Sequence, residues 1–113
     1  MKILLKFLLL VFPLMMNAQV QSEVSLIKYE DLEKHLQQSK DKFVVLNFWA
    51  TTCAPCVKEL PHFIEVNKEY SQNPDFKMLL VSLDMARDKE KVINFIKTKN
   101  LTAEVVILDD VKR

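Results

Sequence analysis

The chain is 113 residues long, half hydrophobic and 27% charged, with 16 Lys and Arg against 15 Asp and Glu and no glycine at all. Average usage of roughly 7% would place about eight glycines in a chain of this size. Their absence excludes a Walker-type phosphate loop, a GxGxxG dinucleotide turn, a GxSxG nucleophile elbow and an EF-hand loop, each of which needs backbone that only glycine supplies cheaply. The near balance of charge, with no basic block, leaves no electrostatic footprint for nucleic acid. The length allows one domain.

In chain order, Met1 to Lys6 carries Lys2 and Lys6, and Phe7 to Met16 is apolar apart from Pro13. Asn17-Ala18-Gln19 then offers a small residue at a cleavage point, the layout of a secretory signal peptide spanning 1–18. The apolar stretch falls short of the roughly 20 residues that span a bilayer, so cleavage is expected to leave no membrane span. Val24-Ser25-Leu26-Ile27 reads as an edge strand or extended arm. Tyr29 to Ser39 places Tyr29, Leu32 and Leu36 at helical spacing, so 19–41 reads as an N-terminal arm and helix. Phe43-Val44-Val45-Leu46-Asn47-Phe48-Trp49 is nearly continuously apolar and suits a central strand buried on both faces. Val57, Leu60, Phe63, Ile64, Val66 and Tyr70 then form the stripe of a helix that Asn73-Pro74-Asp75 breaks. A second buried strand is expected from Phe76 to Leu83, followed by a polar segment from Asp84 to Lys91. Val92, Ile93 and Ile96 mark a helix as far as Lys99, and Val105 to Leu108 a last short strand. Strands alternating with helices imply parallel pairing through right-handed crossovers.

The only cysteines are Cys53 and Cys56. Export lets such a pair form a disulfide, but a staple gains from closing a long loop and this pair closes a very short one. The remaining uses of CxxC are redox chemistry, a metal half-site or haem attachment. Val57 stands where haem attachment needs histidine. A zinc site needs about four ligands, and the sequence adds only His35 and His62, which read as solvent-facing or capping residues. Cys53 should fall at or beside the N-cap of the following helix, with Ala54, Pro55 and Cys56 in its first turn. Pro55 is tolerated there because first-turn amides have no intrahelical acceptor. The helix amides and dipole would stabilise a Cys53 thiolate, lowering the thiol from about 8.5 into a range of roughly 3.5–7.5. Cys53 would attack, and Cys56 would resolve the mixed disulfide.

The segment Phe48-Trp49-Ala50-Thr51-Thr52-Cys53-Ala54-Pro55-Cys56-Val57-Lys58-Glu59-Leu60-Pro61 resembles the active-site segment of exported thioredoxin-like thiol:disulfide oxidoreductases of the TlpA and ResA group. That group includes enzymes that reduce apocytochrome c before haem attachment. Thr52 departs from the tryptophan common there beside the first cysteine. The resemblance implies a periplasmic or otherwise extracytoplasmic enzyme without cofactor or metal, acting on disulfide-containing proteins and recharged by an upstream membrane thiol reductant. It assigns catalysis to Cys53 and Cys56. Glu59 becomes a candidate for proton transfer, against its reading as a solvated helix glutamate, and Asn47 stands where ordinary thioredoxins carry a buried aspartate. Trp49 is expected to pack beside the site, Pro55 to shape the turn, and Pro61 to kink the helix. Lys58 needs no explanation beyond exposure, although it could add positive potential near Cys53.

The fold class implied is α/β: an incomplete thioredoxin-like domain at 42–113, with a mainly parallel sheet flanked by helices. The family's later helix, cis-proline loop, two antiparallel strands and closing helix have no counterpart before Arg113. A fragment with an uncovered sheet edge is therefore expected, and such an edge favours aggregation. Two alternatives remain open at this stage. One is an extracytoplasmic protein holding a soft ion such as Cu(I) on its thiolates. The other is a peroxiredoxin-type peroxidase, disfavoured because the threonine and proline that should precede its cysteine are not at the expected offsets.

Overall fold

The structure is a computed structural model and describes residues 23–110. The expected signal peptide at 1–18, the first part of the arm and the last residues of the chain lie outside the described residues. Four strands form one sheet: β1 (Ser25–Ile27), β2 (Phe43–Trp49), β3 (Phe76–Ser82) and β4 (Glu104–Leu108). Three α-helices connect them, α1 (Tyr29–Gln38), α2 (Ala54–Tyr70) and α3 (Lys89–Lys99), with a single 3-10 turn at Ala86–Asp88 ahead of α3. The order across the sheet is β1-β4-β3-β2, and every neighbouring pair is parallel.

The strand side chains alternate between two apolar layers, as the period of two requires. Trp49, Met78, Leu80, Val105 and Ile107 join Leu60 of α2 and Val92 and Ile96 of α3 on one face. Leu79, Val81 and Val106 join Leu32 of α1 on the other, with Leu36, Leu46 and Leu108 packed around them. Tyr29, expected on the buried stripe of α1, is 60% exposed instead. The start of α1 is tied to the end of β4, because the Tyr29 N–H donates to Asp110 Oδ2 at 2.8 Å and Lys28 Nζ reaches Asp109.

The expected centre of the sheet is displaced by one strand. It is β3 whose Met78 to Ser82 are buried without interruption, whereas β2 is the edge strand of the described sheet. Along β2 only Trp49 is buried, with Phe43 72% and Phe48 46% exposed. A continuous apolar run signals burial on two faces, but does not tell how many hydrogen-bonded neighbours a strand has. The polar segment expected from Asp84 to Lys91 also differs, since α3 begins at Lys89. Lys89, Glu90 and Lys91 form its first turn, so the apolar periodicity does not register the start.

Without glycine, the chain must still end α3. Asn100 does so with φ 51° and ψ 52°, the only positive φ among the described residues. Its N–H bonds back to the Lys97 carbonyl and the Leu101 N–H to the Ile96 carbonyl, leaving Leu101 buried at 7% exposure. Asparagine visits this left-handed region more readily than residues that lack a short polar side chain. Asn100→Ala should cost about 1 kcal/mol in urea denaturation, whereas Asn100→Gly should be neutral or stabilising.

Candidate active site

The parallel register pairs Trp49 with Ser82, so β2 and β3 end side by side. The Leu83 N–H donates to the Trp49 carbonyl at 2.8 Å and closes that end. Four residues then carry the chain from β2 into α2. The Cys53 N–H donates to the Ala50 carbonyl at 3.1 Å, which makes Ala50–Cys53 a tight turn, and the Val57 N–H donates to the Cys53 carbonyl at 3.0 Å. Cys53 is the N-cap of α2, with extended backbone at φ −93° and ψ 95°. Pro55 is the second helical residue and exposed, and it removes no helical hydrogen bond at that position.

Cys53 and Cys56 form a disulfide, with S–S 2.07 Å and Cα–Cα 5.3 Å. Both are half-buried, and their neighbours Thr52, Ala54 and Pro55 are exposed. Cys56 packs against the α2/α3 side of the core. The pair therefore lies at the surface with its second sulfur side chain resting on apolar packing. Trp49 is 1% exposed, and its ring centroid is 5.4 Å from that of Phe95 on α3, as a packing residue beside the site would be. Its Nε1 is buried without a hydrogen-bond partner.

The other sequence candidates differ in burial and in the element that carries them. Glu59 is exposed, as are Lys58, Pro61 and His62, and α2 runs through Pro61 without interruption. His35 lies on α1, on the opposite face of the sheet, with Nε2 3.6 Å from Glu104 Oε1. Asn47 is half-buried on β2, opposite Leu80 of β3. Among the described residues, no group of three or more His, Cys, Asp or Glu side chains could hold a metal ion.

The sequence reading missed Asp84, which lies two residues beyond β3 and is only 7% exposed. Its carboxylate accepts the Thr51 N–H at 3.0 Å, the Thr51 hydroxyl at 2.6 Å and the Ser82 hydroxyl at 2.6 Å. Burial raises the carboxyl, but the Ser82 and Thr51 hydrogen bonds and the positive Lys91 outweigh it, holding Asp84 below the ordinary carboxylate value. Thr51 sits inside the turn that ends at Cys53, so a buried charge from the neighbouring strand end grips the active-site turn. Only the polar pair Ser82 and Asp84 at the end of an apolar run hinted at it, because the contact with Thr51 spans 33 positions.

A disulfide-forming CxxC at a strand-to-helix junction of a parallel α/β sheet defines a thioredoxin-like domain. The chain belongs to the AhpC/TSA family, whose profile matches residues 17–113. It is 34% identical over 92 residues to the thioredoxin-like protein YneN of Bacillus subtilis, across 80% of this chain and 53% of that protein. It is 34% identical over 92 residues to the thiol-disulfide oxidoreductase ResA of Bacillus cereus, across 79% of this chain and 51% of that one. The solution structure of a thiol:disulfide interchange protein from Bacteroides sp. matches with a TM-score of 0.57 and 27% identity, covering 66% of this chain and 47% of that one. The chain thus spans about half the length of the curated relatives it matches.

A carboxyl lowered in the folded state stabilises the fold fully above its unfolded value, about 3.9, and that contribution is lost as pH falls through the lower folded value. The thermal midpoint should therefore drop more steeply below about pH 4 in the wild type than in Asp84→Asn, read by circular dichroism across an acid series.

Proposed function

We propose that the protein is an exported thiol:disulfide oxidoreductase that reduces disulfides of extracytoplasmic partner proteins. The observation that carries this reading is the Cys53–Cys56 disulfide at the N-terminal turn of α2, half open to solvent. It is supported by the names of the relatives and by the disposition of the two sulfur-bearing residues. In the reduced protein Cys53 is the nucleophile. As N-cap its sulfur is placed to accept from the third helical amide, that of Cys56, since the second helical residue is Pro55 and has no N–H. The positive end of α2 adds to the same effect.

In the forward reaction the Cys53 thiolate attacks one sulfur of the partner disulfide. The partner S–S bond breaks, one partner thiolate leaves and a mixed disulfide forms. Cys56, deprotonated, attacks Cys53 Sγ. The mixed S–S bond breaks, the second partner thiolate leaves, and the Cys53–Cys56 disulfide closes. Two electrons pass from the pair to the partner, whose thiolates take up protons. An upstream membrane thiol reductant returns the pair to the dithiol and is itself oxidised. Glu59, three residues after Cys56 and open to water, is assigned the exchange of the Cys56 proton with solvent. Trp49 and Pro55 are supporting residues that fix the strand end and the helical turn. The segment 1–18 serves as the signal peptide, and 42–113 carries the partial thioredoxin-like domain. Among the described residues no helix is long and apolar enough to cross a membrane.

The test is disulfide reduction, assayed with insulin or a glutathione-linked substrate and a thiol donor. Cys53→Ser should abolish turnover, and Cys56→Ser should accumulate a mixed disulfide visible by mass spectrometry. Alkylation of Cys53 in the reduced protein should show a midpoint well below the ~8.5 of a free thiol. No reduction by the wild type together with an ordinary midpoint would overturn the reading. Glu59→Gln should slow the resolution step several-fold and leave the first attack unchanged, read by stopped-flow of single turnovers.

A further inference from the structure

We infer that Asp84 is a positioning residue for Cys53, acting through Thr51 to hold the Ala50–Cys53 turn so that the sulfur faces the first amides of α2. The inference rests on the oxidoreductase reading above and adds to it a residue from a different strand. Three donors converge on one carboxylate: the Thr51 N–H at 3.0 Å, the Thr51 hydroxyl at 2.6 Å and the Ser82 hydroxyl at 2.6 Å. The Asp84 N–H returns a bond to Ser82 Oγ at 3.1 Å, so the acceptor is itself fixed to the end of β3. Charge-assisted bonds of this kind are short and roughly twice as strong as neutral ones.

The consequence for Cys53 is geometric. Backbone and side chain of Thr51 are both held, and the turn is closed from within by the Cys53 N–H to the Ala50 carbonyl at 3.1 Å. Only Thr52, exposed, lies between the clamped residue and the sulfur. The helix stabilises a thiolate only within its first turn, and small misplacement of a reacting group lowers rate steeply. A loosened turn therefore weakens the thiolate and the attack together. Other charges near Asp84 are Lys91 of α3, which contributes favourably to its ionised form, and Arg87 and Asp109, which border the same cleft at the strand ends. None of them replaces the two bonds to Thr51.

The experiment uses the full chain, reduced, with Thr51→Val, Thr51→Ser and Asp84→Ala. Thr51→Val deletes the hydroxyl and keeps the backbone bond. It should raise the midpoint pH of Cys53 alkylation and slow alkylation at pH 7 by about three- to tenfold, since one unit changes the thiolate fraction by up to tenfold. Thr51→Ser restores the donor and should stay within about twofold of the wild type on the same scale. The equilibrium of the Cys53–Cys56 pair with glutathione should move in Thr51→Val and remain in Thr51→Ser. Asp84→Ala should show the larger change, and if it fails to fold, the Thr51 pair decides. A merely structural clamp would lower the unfolding midpoint and leave both sulfur readouts at wild-type values in the folded protein, and that result overturns the inference. A wild-type midpoint near 8.5 together with no disulfide reduction by the wild type sinks the oxidoreductase reading instead, and the inference with it.

Discussion

The parallel register of β2 against β3 is the constraint on which the site depends. Because Trp49 lies opposite Ser82, the chain leaves both strands at the same level, and the turns beyond them must share space. A buried carboxylate at that level is costly unless every lone pair of consequence is met. Here the donors come from the adjoining turn, so the need to satisfy Asp84 and the need to fix the cysteine turn are met by the same bonds. A shift of one residue in the pairing would invert the faces of β2 and break this arrangement.

The helix that follows carries a cysteine at its N-terminus in place of an ordinary cap. Serine, threonine, aspartate or asparagine would bond the first amides. Cys53 holds the N-cap position and, as a disulfide, makes no side-chain capping bond. The helix start is thus left short of acceptors in the oxidised protein. Reduction supplies one, because a thiolate is an anion at the positive end of the helix. The preference of the helix terminus for negative charge therefore favours the reduced pair over the disulfide. Packing of Cys56 on the core holds that half of the pair in place.

Much of this architecture was legible in local sequence. The helix stripe after Cys56, the turn at Asn73-Pro74-Asp75 and the three apolar runs all appear within a residue or two of their expected places, because each depends on periodicity or on a breaker acting over a few positions. The motif from Phe48 to Pro61 placed both cysteines at the strand-to-helix junction for the same reason. Sheet order was not legible: the apolar run of β2 suggested the centre, and β3 occupies it. Strand order is a property of the whole chain, which no single run encodes. Asp84 was hidden for a related reason, since an acidic residue in a polar connection reads as solvated until its partner 33 positions away is brought beside it. Glu59, singled out by its place in the motif, faces solvent without a partner.

The glycine-free composition has a consequence that concerns the unfolded chain. Among the described residues every turn but one is made at negative φ, and Asn100 alone enters the left-handed region. The folded state therefore needs little of the freedom glycine would bring. Replacing a glycine by a residue that fits its backbone stabilises a protein by about 0.4–1 kcal/mol, chiefly by narrowing the disordered ensemble. Over the roughly eight glycines that average usage would supply, the entropy lost on folding falls by an amount on the order of a few kcal/mol. Part of what holds this small sheet together is thus a restriction carried by the chain before any contact forms.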